Sequence, residues 1–167
     1  MPDYSLQRLS PNHSLRALKL GNEAFLPLKQ FLSREARKYE DFSLARTYVV
    51  AEGDTVRGYV SIVCGEVSAK IDTNDGIHFP YNYPAIKIAR LAVDHRHDGA
   101  GLGRTLVKLA IGIGKEAICP SAGCRFVVVD AKRESVGFYE KCGFTLLASP
   151  DNQQNEHPMM FLDLLRA

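Results

Sequence analysis

One stretch near the middle of the chain, residues 87–110, restricts the possible folds more than any other. Its first part alternates apolar β-branched residues as a strand does, and its last part repeats apolar residues with the period of a helix. Between them lies a loop with three alternating glycines, Gly99, Gly101 and Gly103. Such a loop lets backbone N–H groups converge at the positive end of a helix dipole. The stretch therefore predicts a strand–loop–helix unit that grips a phosphate or pyrophosphate.

The spacing of these glycines matches neither of two well-known nucleotide-binding motifs. The dinucleotide motif G-x-G-x-x-G and the P-loop motif G-x-x-x-x-G-K-[ST] are both absent from the loop. From the loop alone, a tight turn that leads into a helix is the simpler interpretation. Motifs elsewhere in the chain favour the phosphate-binding interpretation over the simple turn.

Length and composition predict the general class of the protein. A chain of 167 residues is expected to form a single domain over residues 1–167. The hydrophobic content of 46% and the charged content of 24% are typical of globular proteins. We find no run of eighteen apolar residues and no charged leader followed by an apolar segment. The sequence therefore predicts a cytoplasmic protein without a membrane partner.

The residues that most often bind metals show no metal-site spacing. The four cysteines include no C-x-x-C pair, so we expect reduced, packed thiols at Cys64, Cys119, Cys124 and Cys142. His95 and His97 lie in a charged loop without a nearby cysteine, and a solvated loop is the better interpretation. No metal is expected.

Positive charge is concentrated near the start of the chain, although the net charge is only +2. Residues 1–50 contain eight Lys or Arg against five Asp or Glu. The excess lies on the first helical region, at Arg34, Arg37 and Lys38. On charge alone, this region is an ordinary solvated helix face.

The strand end and the glycine loop resemble the acetyl-coenzyme A loop of the GNAT superfamily of N-acetyltransferases. In that family a strand ending in L-A-V is followed by R/Q-x-x-G-x-G/A and a helix. Gly101 and Gly103 match the two small positions, whereas Asp98 stands where the family usually has Arg or Gln. Arg96 and Arg104 are expected to supply the missing positive charge. The resemblance implies that acetyl-coenzyme A binds to Leu91, Ala92, Val93, Asp98, Gly99, Ala100, Gly101, Leu102, Gly103 and Arg104.

A second motif lies downstream, where residues 135–144 resemble the family segment A-x-x-F-Y-E-K-x-G-F, and Gly143 is expected to end its helix. A tyrosine in a short helix is most often a packing aromatic, but two motifs in the family's order favour a catalytic role. The resemblance implies that Tyr139 is the general acid that protonates the leaving thiolate. It also implies further cofactor contacts from Lys132, Ser135 and Phe138.

The order of predicted elements agrees with the GNAT fold, an α/β (α+β) architecture with a central mixed, mostly antiparallel sheet flanked by helices. Helices are predicted over residues 28–39, from residue 102, and around Tyr139. The polar segment 68–83 is expected to be a longer hairpin or a loop over the substrate groove. Strands are predicted over residues 4–9, 46–51, 56–63, 86–93, 125–130, 144–148 and 159–164.

A finer resemblance is to the acetyltransferase toxins of toxin–antitoxin pairs, of the TacT kind. It rests on Arg90 before L-A-V-D, on Ser14, on the R-T-Y-V-V segment at 46–50 and on the P-M-M segment at 158–160. Such toxins acetylate the α-amine of aminoacyl-tRNA, are commonly homodimers, and are neutralised by a ribbon-helix-helix antitoxin. The resemblance implies the same three partners here. The expected substrate-binding residues are Arg90, Arg34, Arg37 and Lys38.

Two other functions remain open at this point. The near-neutral charge fits an acetyltransferase of a small amine, a peptide N-terminus or a lysine. Asp98 suggests a non-catalytic domain that binds acyl-coenzyme A, but such a domain has no need of a proton donor at Tyr139. No general base stands out, since Glu66 is more simply an edge carboxylate than a base acting through water.

Overall fold

A computed structural model of the chain describes residues 2–76, 79 and 82–167, and these residues form a seven-stranded sheet flanked by helices. The strand order is β1-β2-β3-β4-β5-β7-β6, with β4 and β5 parallel and the other recorded pairs antiparallel. The predicted mixed, mostly antiparallel sheet is therefore confirmed. The strands are β1 Tyr4–Arg8, β2 Arg46–Glu52, β3 Thr55–Val67, β4 Tyr83–Val93, β5 Phe126–Asp130, β6 Thr145–Leu146 and β7 Met159–Asp163.

The helices differ from the predicted ones in two places. The helical stripe predicted over residues 28–39 lies in two helices rather than one, because a turn at Glu35, with φ −119° and ψ −29°, interrupts it. A short helix after β6 was not predicted, although Ser149 caps it and Pro150 occupies its first turn. The helices are α1 Leu26–Arg34, α2 Ala36–Asp41, α3 Leu102–Gly112, α4 Val136–Lys141 and α5 Pro150–Gln154.

The polar segment at 68–83 is only partly described. Residues 77, 78, 80 and 81 lie outside the described residues. Residues 68–76 form neither strand nor helix and bend at residues 69 and 74–76, with Asn74 at a φ of 55°. Of the two predicted alternatives, the described part therefore fits a loop and not a hairpin, and its place over a substrate groove stays a prediction.

The chain divides into two compact units, and the first comprises Met1–Val63 and Ala89–Lys108. Its core lies where α1 packs on β2 and β3, because α1 places Leu28, Phe31 and Leu32 on one face. At Gly58, a Cβ would lie only 3.2 Å from the carbonyl oxygen of Ala92. The lack of a side chain at Gly58 thus allows the close approach of β3 to the end of β4.

The second unit comprises Cys64–Ile88 and Leu109–Ala167. Strand β5 is buried from Phe126 to Val129, as its continuous apolar run requires, and pairs in parallel with Ala85 to Ile88 of β4. Arg125 at its start forms ion pairs with Asp163 and Asp75. The expectation of one domain over residues 1–167 stays a prediction.

Three further observations concern the described residues only. None of their helices combines the length and the apolar character that crossing a membrane requires. No cluster of three or more His, Cys, Asp or Glu side chains in that part of the chain is arranged to hold a metal ion. All four cysteines carry free thiols, but Cys64 is exposed rather than packed as expected.

Candidate active site

The glycine loop adopts a backbone that only glycine accommodates readily. After β4, residues His95–His97 form a single 3-10 turn, and Gly99 and Gly101 follow with φ values of 84° and 76°. L-residues rarely adopt this left-handed region, so the conformation explains both glycines. A Cβ at either position would meet no atom within 4 Å. The space beside the loop is therefore open to a ligand.

The start of α3 offers backbone donors to that space. Thr105 donates its N–H to the carbonyl of Gly101 at 3.0 Å, which closes the first helical turn. The N–H groups of Leu102, Gly103 and Arg104 precede this bond, and donors at a helix start have no acceptor within the helix. Together with the helix dipole they favour an anion at this point. The geometry is compatible with a pyrophosphate, and binding at this loop stays a prediction.

The charges around the loop differ from the expectation at one residue. Asp98 is exposed, so its carboxylate is solvated beside the predicted anion site. Arg96 is bound to Asp94, with Nε 2.9 Å from Oδ1 and Nη2 2.7 Å from Oδ2, and also donates to the carbonyl of Ala17. Of the two expected cations, Arg104 alone remains exposed without such a pair in the described structure.

Asp94 is a site residue that the sequence reasoning missed. It is fully buried, caps the turn through the N–H of Arg96 at 3.0 Å and accepts the N–H of Lys19 at 3.2 Å. Burial alone would raise the pKa of Asp94, but the hydrogen bonds from Arg96 and Lys19 hold that pKa well below its usual range. An Asp that stands two residues before a backbone N–H donor is a common cap of a turn, and this pattern in the sequence could have indicated the role of Asp94. Asp94 therefore ties the glycine loop to residues 17–19.

Replacing Asp94 with Asn should destabilise the protein and weaken its binding of acetyl-coenzyme A. The amide keeps the shape but cannot accept two charged hydrogen bonds from Arg96. We expect a loss of about 1–3 kcal/mol in unfolding free energy, measured by urea denaturation. The matched control is Asp98→Asn, which removes an exposed carboxylate from the same loop and should change stability by less than about 0.5 kcal/mol. Equal stabilities of the two variants would contradict the role given to Asp94.

Arg90 occupies an unusual environment in β4, directly before Leu91. Its guanidinium carbon lies 3.8 Å from the ring centroid of Phe31 and 5.6 Å from that of Tyr39. The sequence pattern placed Phe31 and Tyr39 correctly on the apolar face of a helix but could not show this stacking. Arg90 is half-buried.

The three basic residues of the first helical region are all exposed, but they do not act alike. Arg34 ends α1, whereas Arg37 and Lys38 belong to α2. Arg37 donates to the carbonyls of Ser10, Pro11 and His13, the last at 2.7 Å. Its guanidinium thus holds the loop after β1, so Arg34 and Lys38 are the cations left for a ligand.

Tyr139 lies in α4, where the residue is only 5% exposed. Its ring contacts Phe138 and Phe144 edge-on, with centroids 5.1 and 5.5 Å apart. Burial raises the pKa of Tyr139 above its ordinary value of 10, with a smaller effect from Cys142. The phenol is therefore protonated at neutral pH, as a proton donor must be.

The other residues predicted near Tyr139 frame the start and end of its helix. Ser135 donates its N–H to the carbonyl of Lys132 at 2.8 Å in the turn before α4. Gly143, at a φ of 97°, ends the helix as predicted.

Glu66 is exposed and accepts a hydrogen bond from Asn82 at 2.9 Å, which agrees with an edge carboxylate.

Known proteins resemble the chain in sequence and in fold. The model of the acetyltransferase (GNAT) family matches residues 15–144. A curated relative, the tRNA-acetylating toxin of Mycobacterium tuberculosis, is 32% identical over 150 residues, which cover 87% of each chain.

Two solved structures share the fold at lower identity. AtaT complexed with acetyl-methionyl-tRNAfMet matches with a TM-score of 0.82 and 23% identity, over 98% of this chain and 96% of that one. A tyrosine-to-phenylalanine mutant of the AtaT toxin, bound to the C-terminus of the antitoxin AtaR and to acetyl-CoA, matches with a TM-score of 0.77 and 21% identity. That match covers 98% of this chain and 95% of the other.

Proposed function

The chain belongs to the GNAT acetyltransferase family, and from this premise we propose that it acetylates the α-amine of aminoacyl-tRNA and thereby blocks translation. The main support for this substrate is the 32% identity, over 87% of the chain, to a tRNA-acetylating toxin. The finer sequence motifs around Arg90 agree with it. Aminoacyl-tRNA is used in the cytoplasm, so we infer a cytoplasmic location for the protein.

The acetyl donor is acetyl-coenzyme A, and the described loop fits its pyrophosphate. Left-handed glycines at 99 and 101 and the first N–H groups of α3 provide backbone donors without adding side-chain bulk. We assign the pantetheine arm to the backbone of residues 91–93, where an N–H group would also donate to the thioester oxygen. Lys132, Ser135 and Phe138 are proposed as further contacts.

The proposed reaction needs one positioned acid and no dedicated base. The neutral amine attacks the thioester carbonyl, an N–C bond forms, the C–S bond breaks, and Tyr139 gives its proton to the thiolate. The proton that the amine loses passes to solvent, and solvent returns a proton to the phenolate of Tyr139. Because an α-amine has a pKa of about 7.7–8.0, a useful fraction is already neutral at pH 7.

Three partners complete the proposal. Arg34 and Lys38 are assigned to phosphates of the tRNA, because both are exposed and neither is held as Arg37 is. The AtaT toxin binds its antitoxin, and we infer a ribbon-helix-helix antitoxin for this chain as well. A homodimer is proposed from the resemblance in sequence.

Incubation with acetyl-coenzyme A and bulk aminoacyl-tRNA tests the proposal. We expect N-acetylated aminoacyl ends, detected by mass spectrometry after nuclease digestion, and no product from uncharged tRNA. Polyamines and peptide amines are assayed in parallel as competing acceptors. Clear activity on those amines, with none on aminoacyl-tRNA, would replace this proposal with the small-amine or peptide acetyltransferase.

A further inference from the structure

We propose that Arg90, stacked on Phe31, binds the phosphodiester that joins the last two nucleotides of the acceptor, and that Phe31 is its positioning residue. This inference rests on the proposed function and specifies how the acceptor is recognised. It assigns a single contact with one anion, rather than a general attraction between a basic surface and tRNA.

The aromatic residues beneath Arg90 form a rigid support. Phe31 is itself buried, edge-on to Tyr39 at 5.1 Å and stacked with Tyr59 at 6.2 Å. Tyr59 is anchored in turn, since its hydroxyl donates to the carbonyl of Leu28 at 2.5 Å. A guanidinium 3.8 Å above Phe31 is therefore fixed before any ligand arrives. Such preorganisation lowers the entropy lost on binding.

Within the described part of the chain, the charge of Arg90 lacks the carboxylate partner that comparable arginines have. Arg57 and Arg125 are similarly shielded, and each forms an ion pair with a carboxylate at 3.0 Å or less. Among the described residues, no hydrogen bond or ion pair to the guanidinium of Arg90 is found. The ring faces stabilise its charge, but its N–H donors lie in the guanidinium plane and remain unused. Two N–H groups on one edge of the guanidinium form a fork, and this fork matches an anion that presents two oxygens side by side, such as a phosphate or a carboxylate.

The position of Arg90 along β4 indicates which anion of the acceptor it binds, namely the phosphodiester. Arg90 precedes residues 91–93, which we assign to the thioester arm, so at about 3.3 Å per residue it lies about 3–10 Å from that arm. The amino-acid carboxylate is esterified in aminoacyl-tRNA and carries no charge. The first anion beyond the reacting amine is then the phosphodiester of the terminal nucleotide. A bidentate contact there would place the amine beside the thioester.

Two minimal acceptors isolate this contact. One is a 3′-aminoacylamino-3′-deoxyadenosine, which has no phosphate, and the other carries a cytidine joined through one phosphodiester. We expect the unaltered protein to prefer the second acceptor in kcat/KM. Arg90→Gln should reduce that preference about tenfold to hundredfold, with little change for the nucleoside acceptor. The control Arg16→Gln removes an exposed arginine outside the support and should leave the preference intact.

Two further variants separate charge from placement. Arg90→Lys keeps the charge but loses the fork, and should retain only part of the preference. Phe31→Leu keeps Arg90 but removes its support, so the KM for the phosphodiester acceptor should rise while kcat on the nucleoside is unchanged. If Phe31→Leu does not fold, Arg90→Lys still distinguishes an oriented contact from a diffuse charge effect.

The outcomes separate this inference from the proposed function. Acetylation of whole aminoacyl-tRNA without any preference between the two minimal acceptors would overturn the inference alone. An equal loss on both acceptors in Arg90→Gln would also overturn it, by giving Arg90 a role in the cofactor site or the fold. Failure of the unaltered protein to acetylate aminoacyl-tRNA and both acceptors would overturn the proposed function together with the inference.

Discussion

Replacing Tyr139 with Phe should lower turnover about 10²–10⁴-fold, the usual effect of removing a positioned proton donor. The fold should survive, because the ring keeps its edge-on contacts with Phe138 and Phe144. Acetyl-coenzyme A should still bind, because the proposed role of the lost hydroxyl is toward the leaving thiolate and not toward the phosphates. Steady-state kinetics with both substrates saturating, together with calorimetry for the cofactor, measure the two effects separately.

Tyr83→Phe is the matched control for that substitution. It removes a phenol hydroxyl from a half-buried ring packed on Phe126 and should leave turnover unchanged. A loss of less than tenfold in Tyr139→Phe would mean that water or another acid protonates the thiolate.

The pH profile gives a second check on the same residue. Burial holds the pKa of Tyr139 above its ordinary value of 10, so the acid form persists throughout the neutral and mildly alkaline range. The rate should therefore rise between about pH 7 and pH 9, as the α-amine loses its proton with a pKa of about 7.7–8.0. A decline in rate within that range would contradict the assignment.

Substituting Gly101 with Asp should abolish binding of acetyl-coenzyme A. Gly101 has a φ of 76°, where a side chain costs about 1–2 kcal/mol. The new carboxylate would also repel the pyrophosphate that the backbone donors are expected to bind. Gly103→Asp should have a similar effect through its charge. Calorimetric titration with acetyl-coenzyme A measures the affinity.

The control Gly53→Asp distinguishes backbone strain from electrostatic repulsion of the pyrophosphate. Gly53 lies in the turn between β2 and β3, with a φ of 59° and open space around it, so the same substitution meets a similar backbone strain. It should lower stability to a similar degree and leave cofactor affinity unchanged. An unchanged affinity in Gly101→Asp would exclude this loop as the pyrophosphate site.

Much of the local structure could be predicted from the sequence. The alternation before residue 94 and the helical period after residue 102 located β4 and α3, and the glycines between them predicted a special backbone that the φ values of Gly99 and Gly101 confirm. Gly143 likewise predicted the end of α4. These features depend on conformational preferences within a few neighbouring residues, which a sequence displays directly. The same two motifs led to the acetyltransferase family.

The partners of the charged residues were decided by the tertiary structure alone. Arg96 was expected to face a ligand but is bound to buried Asp94 and to Ala17, and Arg37 holds carbonyls of the loop after β1. Arg90 lies on Phe31, a residue far away in the chain. A charge pairs with whatever packing brings within a few ångströms, and neither composition nor periodicity records that distance. The sequence by itself therefore determined the fold family and the backbone of the cofactor loop, whereas packing decided which cations remain available to a substrate.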